Sequence, residues 1–521
     1  MNTNINFQKF QKFSLKNLLF LLIIFTIGVI IRLYYLPFDL PLVLDAQQYF
    51  WYANDMSILK EIPVEYSAHN NLWPSFLSLI FSVNSSNNIL DFMNLQRISS
   101  TIISALTVFP VFFLCKKFFS NKYSLLGASF FIFEPRLIIN SLLGITEPIY
   151  LLIGILILLF SLSENKKFYY ISFGLAAIFS LIRYEGLLIL LPLTISFFWK
   201  FKINKKSVLK YGLCLLIFIL VIFPMVQARI QVTGEDGVTS HVLGGATVVS
   251  HTLTDNQYKI DRDEFFKNGI INTIKFVGWI TIPIWLVFLP YGIFKYFKKF
   301  EQKQGILLLF SVILILPAIY AYSRDILETR YLYILFPLFS IISLYSIQKI
   351  DKIKNVKIIF VLIIIGIIFS SIGWLEYKWI DEEYEKEVFT LSLKIKDIVE
   401  VTNPYMCCEY SYLKFINLEE NFPNLKNNIK YEQKLLLISQ YDTIEELLID
   451  GNEQGLTHLV IDQSQKQEEE SKEFLIEIYK NENKYNFLKK IYDSNNEGFN
   501  YKIKIFKIDY ELFNQYMGYL I

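Results

Sequence analysis

Residues 205–229 read KKSVLKYGLCLLIFILVIFPMVQAR. Lys205, Lys206 and Lys210 stand at one end, Arg229 at the other, and the residues between are nearly all apolar. A hydrocarbon core of about 30 Å needs about 20 apolar helical residues to cross it, so the run over 208–228 reads as a transmembrane helix. Its lysines mark the cytoplasmic end, because loops on that side carry an excess of positive charge.

The same reading carried outward gives about eleven spans, near 18–36, 92–114, 123–138, 143–162, 168–182, 187–199, 208–228, 271–294, 305–322, 331–348 and 356–375. The first is too long for a signal-peptide core and no small-residue cleavage site follows it. The runs 168–182 and 187–199 are short, and together they could form one bent hairpin. Of the 521 residues, 53% are hydrophobic and 19% charged, against roughly a quarter charged in soluble domains. With the apolar residues in long blocks, a soluble multidomain enzyme and a disordered chain are both excluded. A net charge of +2 gives no electrostatic footprint for nucleic acid. Cys115, Cys214, Cys407 and Cys408 form no CxxC pair, zinc spacing or disulfide framework, and the adjacent Cys407 and Cys408 read as ordinary buried thiols.

With the N-terminus placed in the cytoplasm, the alternate loops around Lys9–Lys16, Lys116–Lys122, Lys166–Lys167, Lys200–Lys210, Lys295–Lys303 and Lys349–Lys357 hold 21 lysines and no arginine. An odd number of spans then puts everything after about residue 375 outside. All eight arginines (Arg32, Arg97, Arg136, Arg183, Arg229, Arg262, Arg324 and Arg330) fall on the outer side, although arginine supplies only 8 of the 50 basic residues. Three outer segments are long: about 37–91, with an amphipathic stretch Asp45–Leu59 and interfacial aromatics; about 229–270; and 376–521. The last loses the membrane composition. Helical patterns (Glu383–Val401, Glu468–Asn481) alternate there with strand-like runs (Leu435–Gln440, His458–Asp462, Phe487–Tyr492, Tyr501–Ile508). The expected fold is therefore a polytopic α-helical membrane domain over 1–375, with an extracytoplasmic α/β domain over 376–521.

Ionisable residues near membrane depth are costly and point to function. They collect at the outer ends of spans: Asp45; Glu134, Arg136 and Glu147; Arg183 and Glu185; Arg324, Asp325, Glu328 and Arg330. A helix of about 15 residues covers only about 22 Å. Anchored at Lys166 and Lys200, the short runs would sink Arg183 and Glu185 below the outer headgroups and open a polar cavity to that leaflet. Such a cavity suits a lipid-linked substrate bearing phosphate. The alternatives are structural: Asp45 as a helix cap, and Arg183–Glu185 or Glu328–Arg330 as ion pairs bracing helices. His69, His241, His251 and His458 show no metal-ligand spacing, and no Walker or Rossmann motif occurs, which argues against a nucleotide-driven pump.

Over about residues 15–375 the pattern resembles the GT-C superfamily of membrane glycosyltransferases, especially the protein O-mannosyltransferase and aminoarabinose transferase branch. The residues that carry the likeness are Asp45 followed by Tyr49, Thr146-Glu147 opening a span, Arg183-Tyr-Glu-Gly186, and Arg330-Tyr331 leading into Leu335-Phe-Pro337. The resemblance implies a polyprenyl-phosphate sugar as donor, in place of a nucleotide sugar. It also implies transfer with inversion outside the cytoplasm to a protein, lipid or glycan acceptor, with Asp45 as general base. Glu147 is a second catalytic candidate. Arg183 and Arg330, with Arg136 and Arg324, are candidates for the donor phosphate, and Tyr49, Glu185, Glu328 and Tyr331 support the site. Many relatives carry two adjacent acids at the first position. Here Ala46 follows Asp45, so no residue is assigned to a metal, and participation of a divalent ion is left open. The WWDYG signature of oligosaccharyltransferases is absent. The competing reading is a transporter or flippase of lipid-linked glycans, for which paired repeats would be expected; none is visible. A receptor-like membrane protein would leave the outer-face charges unexplained.

Overall fold

A computed structural model describes residues 15–66, 71–165, 167–244, 262–298, 300–349, 356–399, 422–425, 441–462 and 473–520. The expectations for Leu435–Gln440, His69, His251, Cys407 and Cys408 lie outside the described residues. The chain divides into two compact units. The first comprises 1–36, 45–84 and 92–376; the second comprises 37–44, 85–91 and 377–521.

The first unit is a polytopic helical membrane fold. Among the described residues, seven helices are long and apolar enough to cross a membrane, or eight when a bent pair is taken as one span. They are Leu15–Tyr34, Ile89–Cys115, Tyr184–Phe201, Lys205–Thr233, Gln302–Ser323, Thr329–Ile347 and Ile358–Ile398, with Asn121–Ile132 and Pro135–Leu142 forming a pair bent by 50°.

The remaining expected spans differ in instructive ways. The run 143–162 starts late, at Glu147, because Gly144 takes a left-handed turn (φ 75°) before a 15-residue helix, Glu147–Ser161. The pair 168–199 is two helical segments, Lys167–Ile182 and Tyr184–Phe201. They meet at Arg183, whose backbone is extended. Gly186 is required just beyond this junction, since a Cβ there would lie 2.6 Å from the Phe179 carbonyl oxygen. The run 271–294 is interrupted between the helices Arg262–Ile280 and Leu289–Lys298. Pro283 falls in the gap and supplies no N–H. Breaks of this kind are tolerated at membrane depth only where protein groups satisfy the freed backbone. Conversely, the last span and the helical pattern after it fuse into one 44-residue helix, Val356–Val399, because no proline or turn motif separates them.

At the helix ends remote from the arginines, Lys200 Nζ donates to the carbonyls of Ser161 (3.2 Å) and Ser163 (2.6 Å). Lys303 stands 3.9 Å from Glu164. Three of the lysine-bearing loops thus share one pole of this unit.

The second unit contains a three-stranded antiparallel sheet, order β1-β3-β2, of His458–Asp462 (β1), Leu488–Asp493 (β2) and Ile503–Ile508 (β3). Leu459 pairs with Phe506, Val460 with Ile505 and Ile461 with Lys504. The two faces of β1 and β3 pack against different partners. Leu459, Ile461 and Phe506 pack with the helices Ile444–Glu453, Glu473–Lys480 and Tyr510–Leu520. Val460, Ile503 and Ile505 pack on Val388, Leu391 and Ile395 of the long helix.

Candidate active site

Four breaks in helical structure, far apart in sequence, converge within the first unit. Asp45 lies in the first turn of the helix Leu44–Leu59, entered through Leu44 at φ 50°. That left-handed value is uncommon for a non-glycine residue and turns the chain sharply into the helix. Glu147 opens its own helix beside Pro148, where a carboxylate also favours the helix dipole. Arg183 and Glu185 come from the extended junction, and Glu328 and Arg330 from the turn into the 3-10 segment Thr329–Leu335.

Their side chains form one continuous network. Arg330 Nη2 donates to Asp45 Oδ2 at 2.9 Å, Arg330 Nη1 stands 3.6 Å from Glu147 Oε1, and Arg330 Nε stands 2.7 Å from Glu328 Oε2. Arg183 Nη1 donates to the same Glu147 Oε1 at 2.8 Å, and Arg183 Nη2 to Glu185 Oε1 at 3.3 Å. Glu147 therefore joins the two guanidinium groups, while Asp45 hangs at the edge with its side chain 52% exposed. The Tyr331 ring lies 5.7 Å from the Arg183 guanidinium carbon and 5.8 Å from that of Arg330. Tyr49 shares a hydrogen bond with Thr146; burial pushes its phenol above the ordinary value, and Arg183 opposes that shift. Glu147, Arg183, Glu185 and Arg330 line a pocket together with Tyr150, Tyr331 and Tyr333.

Eight of the ten sequence candidates are thus assembled: Asp45, Tyr49, Glu147, Arg183, Glu185, Glu328, Arg330 and Tyr331. Two are placed elsewhere. Arg136 is buried and committed: it pairs with Glu134 at 3.3 Å, donates to the Trp279 carbonyl at 3.1 Å and to that of Ile282, and packs 4.5 Å from the Trp374 ring. It supplies the partners that the break in the 271–294 run requires, and Glu134 in turn accepts from Trp285 Nε1 at 2.9 Å. Arg324 is exposed and contacts Tyr320. Among the described residues, no group of three or more His, Cys, Asp or Glu side chains is arranged to hold a metal.

Sequence reasoning missed Gln96. It is fully buried in the helix Ile89–Leu106. Its amide donates to the Ala46 carbonyl at 2.9 Å and to the Gly144 carbonyl at 2.8 Å, tying the backbone next to Asp45 to the turn that presents Glu147. Trp73 Nε1 also donates to Gly144, at 3.1 Å. A second buried set holds the same first-loop segment: Arg229 donates to Asn71 Oδ1 at 2.5 Å, and the Tyr52 hydroxyl to the same oxygen at 2.7 Å. An isolated glutamine in a helix carries no periodic signal, so nothing in the sequence singled it out.

No protein-family model matches the chain, and no curated protein does. Solved structures do. The Archaeoglobus fulgidus oligosaccharyltransferase tethered to an acceptor peptide containing the NVT sequon aligns at TM-score 0.54 and 13% identity, over 94% of this chain and 74% of that one. The same organism's enzyme AglB, in complex with an inhibitory peptide and a dolichol-phosphate, aligns at 0.52 and 12%, over 89% and 72%. ArnT from Cupriavidus metallidurans bound to undecaprenyl phosphate is more distant, at 0.42 and 10% over 64% and 60%, and bears no weight here. At such identities the likeness is one of fold: the chain shares the fold of these archaeal oligosaccharyltransferase structures.

Proposed function

We propose that this chain is an integral-membrane glycosyltransferase, moving a sugar from a polyprenyl-phosphate donor to an acceptor hydroxyl outside the cytoplasm with inversion. The observation that carries the reading is the union of Asp45, Glu147, Arg183 and Arg330 in one network, the last three of which line one pocket. The fold supports it, as does the dolichol-phosphate in the oligosaccharyltransferase complex.

In this reading the donor phosphate takes up guanidinium N–H groups of Arg330 and Arg183, each of which has five donors in a planar fork. The acceptor oxygen attacks the anomeric carbon from the face opposite the phosphate. Asp45, the more exposed carboxylate, takes the acceptor's proton as the new C–O bond forms. The C–O bond to phosphate breaks with its electron pair, and the arginines stabilise the charge that builds on the leaving group. Glu147 holds both guanidiniums in register. For sidedness, the shared pole of Lys200 and Lys303 supports a cytoplasmic face opposite the site.

The test is transfer of radiolabel from a polyprenyl-phosphate sugar by the purified protein in vesicles. Label should leave the phosphate lipid for an acceptor in wild type and remain on it in Asp45→Asn. If label crosses the bilayer still attached to intact lipid, the chain is a flippase and the transferase reading fails.

A further inference from the structure

The network carries more negative charge than positive. Among the described residues, Asp45, Glu147, Glu185 and Glu328 surround two cations, Arg183 and Arg330. Glu147 and Glu185 each direct Oε1 to arginine, while Oε2 of each is buried without a hydrogen-bond partner among the described residues. Glu147 is 4% exposed, and both side chains line the cavity. A buried acceptor is costly to leave unpaired, so these two oxygens mark where a ligand brings donors. Around them stand Tyr150, Tyr331 and Tyr333. Tyr150 is braced by stacking on Phe179 at 3.9 Å. A flat hydroxyl-bearing ring satisfies all of this: its hydroxyl groups donate to the carboxylates and its C–H face lies on aromatic carbon.

Resting on the donor reading above, we infer that this cavity is the sugar subsite and that Glu147 and Glu185 select a neutral sugar against one bearing a carboxylate. A uronate would present two more acceptors where two already lack donors. It would also add like charge to a group already in acidic excess, in a partly desolvated pocket where such repulsion is strong.

The experiment measures binding of three lipids to the full chain in nanodiscs: polyprenyl phosphate, polyprenyl-phosphate glucose and polyprenyl-phosphate glucuronate. In wild type the dissociation constant for the glucuronate lipid should exceed that for the glucose lipid by about 30-fold or more, a like-charge contrast of ordinary size for a buried pair. Glu185→Gln should bring that ratio to within about threefold of unity, since the amide offers a donor and no charge. Glu185→Asp, which keeps the charge, should preserve the wild-type ratio. Taking a ratio cancels any effect of the substitution on phosphate binding alone. A wild-type ratio near one, or a ratio unchanged in Glu185→Gln, overturns the selectivity assignment while leaving the donor reading intact. Failure of wild type to bind any of the three lipids overturns the donor reading itself, and this inference with it. Should Glu185→Gln fail to fold, the wild-type ratio still decides.

Discussion

Gln96 provides a test of whether the two carboxylates must be held at a set spacing. Its single amide donates to Ala46, next to Asp45, and to Gly144, three residues before Glu147. Gln96→Met keeps the length and the apolar packing while removing both donors. Two neutral hydrogen bonds are worth about 2 kcal/mol together, and the loss in global stability should stay near that figure, because Gly144 keeps its bond from Trp73. The effect on catalysis should be larger. Once untied, the start of the Leu44–Leu59 helix can drift relative to Glu147, and a misplacement of about 1 Å can lower rate by about 10²-fold. Steady-state kinetics with saturating donor should show kcat reduced about 10- to 100-fold with donor KM changed little, since the arginines stay in place. Trp73→Phe breaks only the second support of Gly144 and should cost much less in kcat. In a double-mutant cycle with Asp45→Asn, Gln96→Met should add almost nothing, because the base it positions is already gone. Normal kcat in Gln96→Met, or full additivity with Asp45→Asn, refutes the positioning role.

Three further outcomes are expected. Asp45→Asn preserves shape but cannot take a proton, so turnover should fall by about 10²–10⁴, while polyprenyl-phosphate binding holds or tightens because Arg330 loses a competing carboxylate; near-normal turnover would move the base to Glu147. Arg330→Lys should lower turnover about tenfold or more with little change in melting temperature, since one ammonium cannot replace the guanidinium fork. Arg136→Met, which strands buried Glu134 and two carbonyls, should instead destabilise the protein by about 3–5 kcal/mol, and the reverse pattern in this pair would refute the division between them. Single cysteines at Lys205 and Asn452, in a background lacking the native cysteines, should respond oppositely to an impermeant thiol reagent in intact cells; labelling of position 205 from outside would refute the proposed sidedness.

Most of the fold was readable because lipid imposes long apolar runs, and the runs at Leu15–Tyr34, Lys205–Thr233 and Gln302–Ser323 show it directly. Two features that escaped are places where a distant side chain completes the backbone. The interruption after Ile280 depends on Arg136, from the far side of the sequence, capping the Trp279 and Ile282 carbonyls. No window of residues near 280 contains that information. The shortened start at Glu147 depends in the same way on Gln96 and Trp73 holding Gly144. The candidate site was readable to the extent that costly charges at span ends are visible in any chain. Their sorting was readable in part: motifs singled out Arg183 and Arg330, but nothing local in the sequence removed Arg136 and Arg324 from the same set.

Their partners do the sorting. Arg32 donates to the Gly28 and Ile132 carbonyls, both at 3.0 Å, Arg136 donates to two more, and Arg229 binds Asn71 and the Tyr66 carbonyl. Each of these arginines is thus tied to neutral acceptors, Arg136 with a pairing to buried Glu134 besides. The ion pairs of Arg183 and Arg330 are made within the network itself, to Asp45, Glu147, Glu185 and Glu328. A carboxylate can be exchanged for a phosphate oxygen at small cost, since one anion replaces another on the same fork. In the proposed reaction that exchange has a direction. Arg330 now holds the Asp45 carboxylate in an ion pair. A donor phosphate that takes over the Arg330 N–H groups frees that carboxylate at the exposed edge of the site, where an acceptor hydroxyl arrives. Donor binding would then release the base before the acceptor is engaged, and the same two arginines would serve the resting network and the leaving group in turn.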